Sequence, residues 1–212
     1  MKKAFFCIDG FSFKRISDFY RNEHTRHSRL SISAMETYLR FELERRFEWQ
    51  SDPENLAVEK HFYHPGTKPV RGSLLNFERN LADSGYTVHY QEEGVPVPRL
   101  NRGIFYDWII SKNFRKFDIF ALLTTQGQYA NIFRQNRERK IPSILIGWDS
   151  ICKNSFGASS WWKTDKTLIE CASVYCPLER TLNLPNNDEH PLAGIMFENL
   201  FSPRYPLDQR FG

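Results

Sequence analysis

The sequence predicts an α/β domain built on a three-layer, doubly wound and mainly parallel sheet. Three observations carry that expectation. Several strand-length segments are apolar almost throughout, notably Ala4-Phe5-Phe6-Cys7-Ile8 and Phe117-Asp118-Ile119-Phe120-Ala121-Leu122-Leu123, as expected for parallel strands covered on both faces. Segments with a helical spacing of apolar residues lie between them, and that alternation builds βαβ units. The 212 residues suffice for one substantial core, and no stretch rich in Pro, Gly or Ser divides them. The expected organisation is one domain over 1–180, with an appendage over 181–212 packed on it or extending from it.

The first strand closes on Asp9, with Gly10 after it. Phe11 to Arg29 is polar and basic, carrying Lys14, Arg15, Arg21, His24, Arg26, His27 and Arg29, and reads as a helix or a long ordered loop. Ser33 followed by Glu36 makes a capping box, and Met35, Leu39, Leu43 and Phe47 recur every four residues. A helix over about 33–47 with one apolar stripe inward follows. Leu56 to Tyr63 predicts a strand that His64-Pro65-Gly66 ends. Leu74, Leu75, Phe77 and Leu81 place a helix over about 72–83, with Gly85 as its stop.

Tyr86 to Gln91 returns as a strand, and Gly94, Pro96 and Pro98 make a loop that leads to a helix over about 103–113 on Ile104, Trp108 and Ile109. The 117–123 run is expected at the centre of the sheet. A helix over about 128–139 and a buried strand, Ser143 to Trp148, follow it. Val174 to Cys176 adds an edge strand, and the proline-rich 185–212 segment reads as an irregular tail around a short helix near 191–200.

Composition narrows function only slightly. The 29 Lys and Arg against 25 Asp and Glu leave a net charge of +4, which permits contact with nucleic acid without demanding it. No apolar stretch approaches the roughly 20 residues that cross a bilayer, and Met-Lys-Lys leads into a strand instead of a signal peptide. A cytoplasmic protein with no membrane partner is the expectation. Cys7, Cys152, Cys171 and Cys176 have no zinc-binding spacing and read as buried, reduced thiols, the last two on opposite faces of one strand. His24-x-x-His27 and His61-x-x-His64 have no nearby Cys or acids in a zinc pattern and read as exposed polar residues. Trp161 and Trp162 read as a cover for the sheet, with a protein interface as their other use.

In an open parallel sheet, ligands bind beyond the carboxyl ends of the strands, near the point where strand order reverses. Asp9, Thr124 to Gln128, and Gly147 to Asp149 all fall at such ends. Asp118 begins its strand and so lies at the opposite edge. The segment Ile8-Asp9-Gly10-Phe11-Ser12, then Arg102-Gly103-Ile104-Phe105, Leu123-Thr124-Thr125-Gln126-Gly127-Gln128-Tyr129, and Arg139 to Gly147 follow one another in an order that resembles the NYN, or LabA-like, branch of the PIN-like nuclease superfamily. The resemblance covers about residues 4–178 and implies a PIN-like, Rossmann-like fold.

The family's pattern has Asn where Ser12 stands, acids where Gln126 and Gln128 stand, and an acid where Phe105 stands. Asp107 lies two residues beyond Phe105, about 200° round a helix, and replaces the missing acid only with a shift of register. The resemblance implies Mg²⁺ or Mn²⁺ held by carboxylates that orient a phosphate and activate water. At an effective dielectric near 20 and about 4 Å, each charge pair is worth roughly 4 kcal/mol, so exchanging acids for amides opposite a dication removes tight binding.

The expected function is that of a degenerate NYN-like domain, a pseudonuclease that binds RNA or a protein partner and needs no cofactor. Its cleft would be lined by Ser12, Thr124, Thr125, Gln126 and Gln128, with Lys14, Arg15, Arg21, Arg102 and Arg134 meeting nucleic acid. One alternative is a divergent metal-dependent ribonuclease in which Asp9 holds a Mg²⁺ or Mn²⁺ ion with Asp149 and Asp107. The other is a scaffold subunit of a protein complex.

Overall fold

The structure, a computed structural model, describes residues 1–24, 27–49, 54–65, 73–90, 104, 116–153, 159–182 and 200–201. Six strands form one sheet: β1 (Lys2–Asp9), β2 (Leu56–His64), β3 (Tyr86–Tyr90), β4 (Ile119–Leu123), β5 (Ser143–Gly147) and β8 (Val174–Pro177). They run in the order β3-β2-β1-β4-β5-β8, every neighbouring pair parallel. A separate antiparallel hairpin, β6 (Ser150–Lys153) and β7 (Ser159–Trp162), is inserted between β5 and β8.

Side chains alternate across the sheet, and each face has its own core. Ala4, Phe6 and Ile8 of β1, with Ile119, Ala121 and Leu123 of β4, join one apolar cluster. Against it pack α1 (Gly10–Asn22) through Phe13 and Ile16, α2 (Ala34–Phe47) through Met35, Leu39 and Leu43, and α3 (Ser73–Asp83) through Leu81. Phe5, Cys7, Phe120 and Leu122 face the other way, onto α4 (Ala130–Glu138) through Ile132 and Phe133 and α5 (Lys166–Cys171) through Leu168. β4 and the Ala4–Ile8 stretch of β1 are apolar throughout because both faces are buried. The result is a three-layer α/β fold.

Most elements lie where the apolar periodicity places them. The basic 11–29 segment resolves into α1 followed by a turn, with Tyr20 fully buried and Phe19 partly so. Four expectations change. Ser33 makes no capping hydrogen bond: its backbone is already helical and its hydroxyl lies 2.8 Å from Ser31 Oγ, while Glu36, the other half of the expected box, is held by Arg40 at 2.7 Å and Lys60 at 2.5 Å. The fourth helix begins with a tight 3-10 turn over Gly127–Tyr129 and becomes α-helical only at Ala130. Cys171 ends α5 instead of sharing a strand with Cys176. His61 and His64 are buried, His61 stacking on Phe5 at 4.4 Å and accepting or donating at 2.9 Å to His89.

All four cysteines are buried and free. The final short helix α6 (Leu178–Leu182) packs Leu178 into the first core, which Leu200 and Phe201 also join. Phe201 bridges to Leu30 and lies 5.3 Å from the Tyr20 ring. The expected helices near 103–113 and 191–200 fall outside the described residues except for Ile104 and Leu200, both buried. Among the described residues no helix is long and apolar enough to cross a membrane.

Candidate functional site

The chain builds β1, β2 and β3 outward in one direction, then returns to lay β4 against the other side of β1. Strand order therefore reverses between β1 and β4, the position at which open parallel sheets have their binding crevice beyond the carboxyl ends of the strands. Ile8 pairs with Leu123, so Asp9 and Thr124 leave the sheet side by side. Gly10 lets α1 start at once. A Cβ on Gly10 would lie 2.5 Å from the Tyr63 carbonyl oxygen, so α1 comes closer to β2 than a side chain allows.

Asp9 is the N-cap of α1, and its Oδ1 accepts the Phe11 amide at 3.1 Å. Its Oδ2 accepts three further hydrogen bonds, from Ser12 Oγ at 2.7 Å, Thr124 Oγ1 at 2.9 Å and Gln126 Nε2 at 3.2 Å. Asp9 is 3% exposed. Burial raises its carboxyl pKa above the ordinary value, and the Ser12 and Thr124 hydroxyls and the Phe11 amide pull it back only in part.

The hydroxyls extend this network. Ser12 Oγ accepts the Thr125 amide at 3.1 Å and lies 3.2 Å from Thr125 Oγ1. Thr125 Oγ1 in turn accepts from the Trp162 indole at 3.1 Å. Gln128 is exposed and donates its amide to Gln126 Oε1 at 2.5 Å. The five residues expected to line the cleft are gathered around Asp9, but Ser12, Thr124 and Thr125 are buried within the network and only Gln126 and Gln128 reach its surface. Trp162 joins them, although sequence gave it a different place: it sits on the β6–β7 hairpin, nearly forty residues from Thr125, and no local pattern links the two.

The other acids are used elsewhere. Asp149 accepts the Thr164 amide at 2.7 Å, and its own amide donates to Glu179 Oε2 at 3.1 Å, so it clasps the chain where the hairpin returns to the sheet. Asp165 caps α5 through the Thr167 amide at 2.8 Å. Asp118 accepts the Lys3 amide at the opposite edge, at 2.8 Å. Asp107 and Arg102 lie outside the described residues. Among the described residues, no three His, Cys, Asp or Glu side chains converge as a cation site.

The donors around Asp9 do not fit a divalent cation. Its Oδ2 is saturated by two hydroxyls and an amide, all neutral donors that leave no lone pair open to a Mg²⁺ or Mn²⁺ ion, which binds through free carboxylate oxygens. The basic residues divide between two layers. Lys14, Arg15 and Arg21 lie on α1, with Lys14 paired to Asp18. Arg134 is exposed on α4 across the sheet and donates to Asn131 Oδ1 at 3.4 Å.

Fold and site together define a Rossmann-like α/β domain with a polar crevice and one buried carboxylate at its switch point. No family model matches the chain, and no curated protein sequence does. Among solved structures, a protein of unknown function from Vibrio parahaemolyticus is similar over 84% of this chain and 93% of its own, with a TM-score of 0.53 and 11% identity. At that identity the likeness shows the fold alone. A UDP-glucosyltransferase from Polygonum tinctorium aligns with 71% of this chain and 30% of its own at a TM-score of 0.30 and 8% identity, too slight a likeness to carry an argument.

Proposed function

We propose that this domain is a degenerate NYN-like, PIN-like scaffold that binds RNA at the carboxyl edge of its sheet and does not cleave it. One observation carries the reading: Gln126 donates its side-chain amide to the Asp9 carboxylate at 3.2 Å. Two carboxylates at such a separation repel by roughly 4 kcal/mol at an effective dielectric near 20, and a shared cation relieves that repulsion. An amide removes the repulsion and the need for the cation together. The crevice then keeps its shape through neutral hydrogen bonds.

What such a crevice retains is a binding surface. The side-chain amides of Gln126 and Gln128, half-buried and exposed at its rim, suit sugar and base edges, and the cations of α1 suit phosphates. Fluorescence anisotropy of a labelled RNA, titrated in the presence of a chelator, tests the reading. Binding that survives the chelator and weakens as salt rises is expected, with the RNA intact after incubation in Mn²⁺ or Mg²⁺. Cleavage that Asp9→Asn abolishes would instead establish the ribonuclease that uses Asp9, Asp149 and Asp107. If no RNA is bound, the scaffold-subunit reading takes the place of this one.

A further inference from the structure

We infer that Phe11, Trp162 and Arg15 form a shelf in this crevice on which an unpaired nucleobase stacks while Arg15 meets the adjoining phosphate; the inference rests on the RNA-binding reading above. Phe11 and Arg15 are four residues apart on α1 and so share its outward stripe. Phe11 is 42% exposed, so one face of its ring is open to a ligand. Its ring lies 6.4 Å from that of Trp162 at an angle of 38°. Trp162 is held in place by its indole hydrogen bond to Thr125, so the shelf is tied to the network around Asp9.

Arg15 supplies the second observation. Its guanidinium carbon lies 3.5 Å from the centroid of the Trp162 ring, well inside the range of cation–π attraction. Its neighbour Lys14 is neutralised by Asp18, whereas Arg15 makes no ion pair among the described residues, and its Nε has no hydrogen-bond partner there. A cation with no counter-ion among the described residues, laid on an indole and next to an exposed phenyl ring, is complementary to an anionic chain with planar substituents. Arg stacked on aromatic faces also suits bases splayed from a single strand. A duplex keeps its base faces stacked inside and offers none to the shelf.

The opposite face of the hairpin presents a different surface. Ile151 and Trp161 are cross-strand partners there, 49% and 66% exposed, with Lys163 over the Trp161 ring at 5.0 Å. Successive residues of a strand point to opposite faces, so Trp161 lies away from the shelf. It serves as the internal control.

The test is an anisotropy titration of a fluorescein-labelled single-stranded RNA of about 12 nucleotides against wild type, Phe11→Ala, Phe11→Tyr, Arg15→Gln and Trp161→Ala, each checked for native circular dichroism. Phe11→Ala is expected to weaken binding about 5- to 150-fold, the range for one lost base–aromatic stack, and Phe11→Tyr to restore it. Arg15→Gln should weaken binding and lower the salt slope by about one. Trp161→Ala should bind as wild type does, and the same sequence as a duplex should bind more weakly with no dependence on Phe11. Wild-type binding that survives both Phe11→Ala and Arg15→Gln overturns the shelf and leaves the RNA-binding reading standing. Loss on Trp161→Ala alone moves the contact to the outer face and overturns it equally. If wild type binds no RNA, the functional reading itself fails and the shelf with it, leaving the exposed aromatics to a protein partner.

Discussion

At the scale of single residues, Asp9 shows how one carboxylate changes its task when its neighbours change. Among acids it would share a cation; among Ser12, Thr124 and Gln126 it becomes an acceptor that caps α1 and knits two strand ends together. Its carboxyl pKa is raised by burial above 3.8, so the charged form is disfavoured in the fold. A group of this sign contributes stability while protonated and loses it as pH rises from the unfolded value through the folded one. Asp9→Asn should therefore gain in melting temperature relative to wild type as pH is raised from about 4 towards 7, whatever constant offset the altered hydrogen bonds introduce. Melting curves of the two proteins that stay parallel across that range would show that Asp9 carries no such shift. Sequence placed Asp9 and Thr124 to Gln128 together because they follow strand ends, and the family resemblance added Ser12, while Trp162 escaped it. It could not show that the Gln126 amide donates to Asp9, since that contact joins residues far apart in the chain.

Among the elements, α1 governs the crevice because it starts directly at the end of β1. Gly10 permits this start: an added Cβ would meet the Tyr63 carbonyl oxygen at 2.5 Å and the Phe62 ring at 2.9 and 3.0 Å. Gly10→Ala is expected to destabilise the protein by about 1–3 kcal/mol through overpacking, despite the better helix propensity of alanine. A denaturant titration in which that variant matches or exceeds wild type would contradict this close approach. The clearest helices and strands were legible because their apolar spacing is long and regular. The β6–β7 hairpin was not, since Ser150–Lys153 and Ser159–Trp162 are only four residues each and lack a marked alternation. The capping box failed for another reason: Ser33 takes helical backbone angles beside Ser31, and Glu36 is engaged by Arg40 and Lys60.

Over the whole molecule, burial on both faces of one parallel sheet sets where the fold is firm. β1 and β4 are the innermost strands, with β5 beside β4, and Phe5 to Ile8, Phe120 to Leu123 and Ile144 to Ile146 are at most 1% exposed. Hydrogen exchange should find the amides of these strands the slowest and those of the β6–β7 hairpin among the first to exchange, because only global opening frees the former. Hairpin amides as protected as those of β1 would place the hairpin inside the main cooperative unit. This contrast also separates the crevice into a rigid half, Asp9 to Ser12 with Thr124 and Thr125, and a half carried by the hairpin through Trp162.

By itself the sequence determined the class of fold, the central strands and the strand-end residues that meet beyond β1 and β4, because apolar periodicity and strand boundaries are local properties of the chain. Only the tertiary structure decided that Asp9 is satisfied by neutral donors, that Asp149 clasps the hairpin's return, and that Trp162 and Arg15 stack beside Phe11. Each of these is a contact between distant segments, and its energy depends on distances and burial that arise only when the sheet assembles.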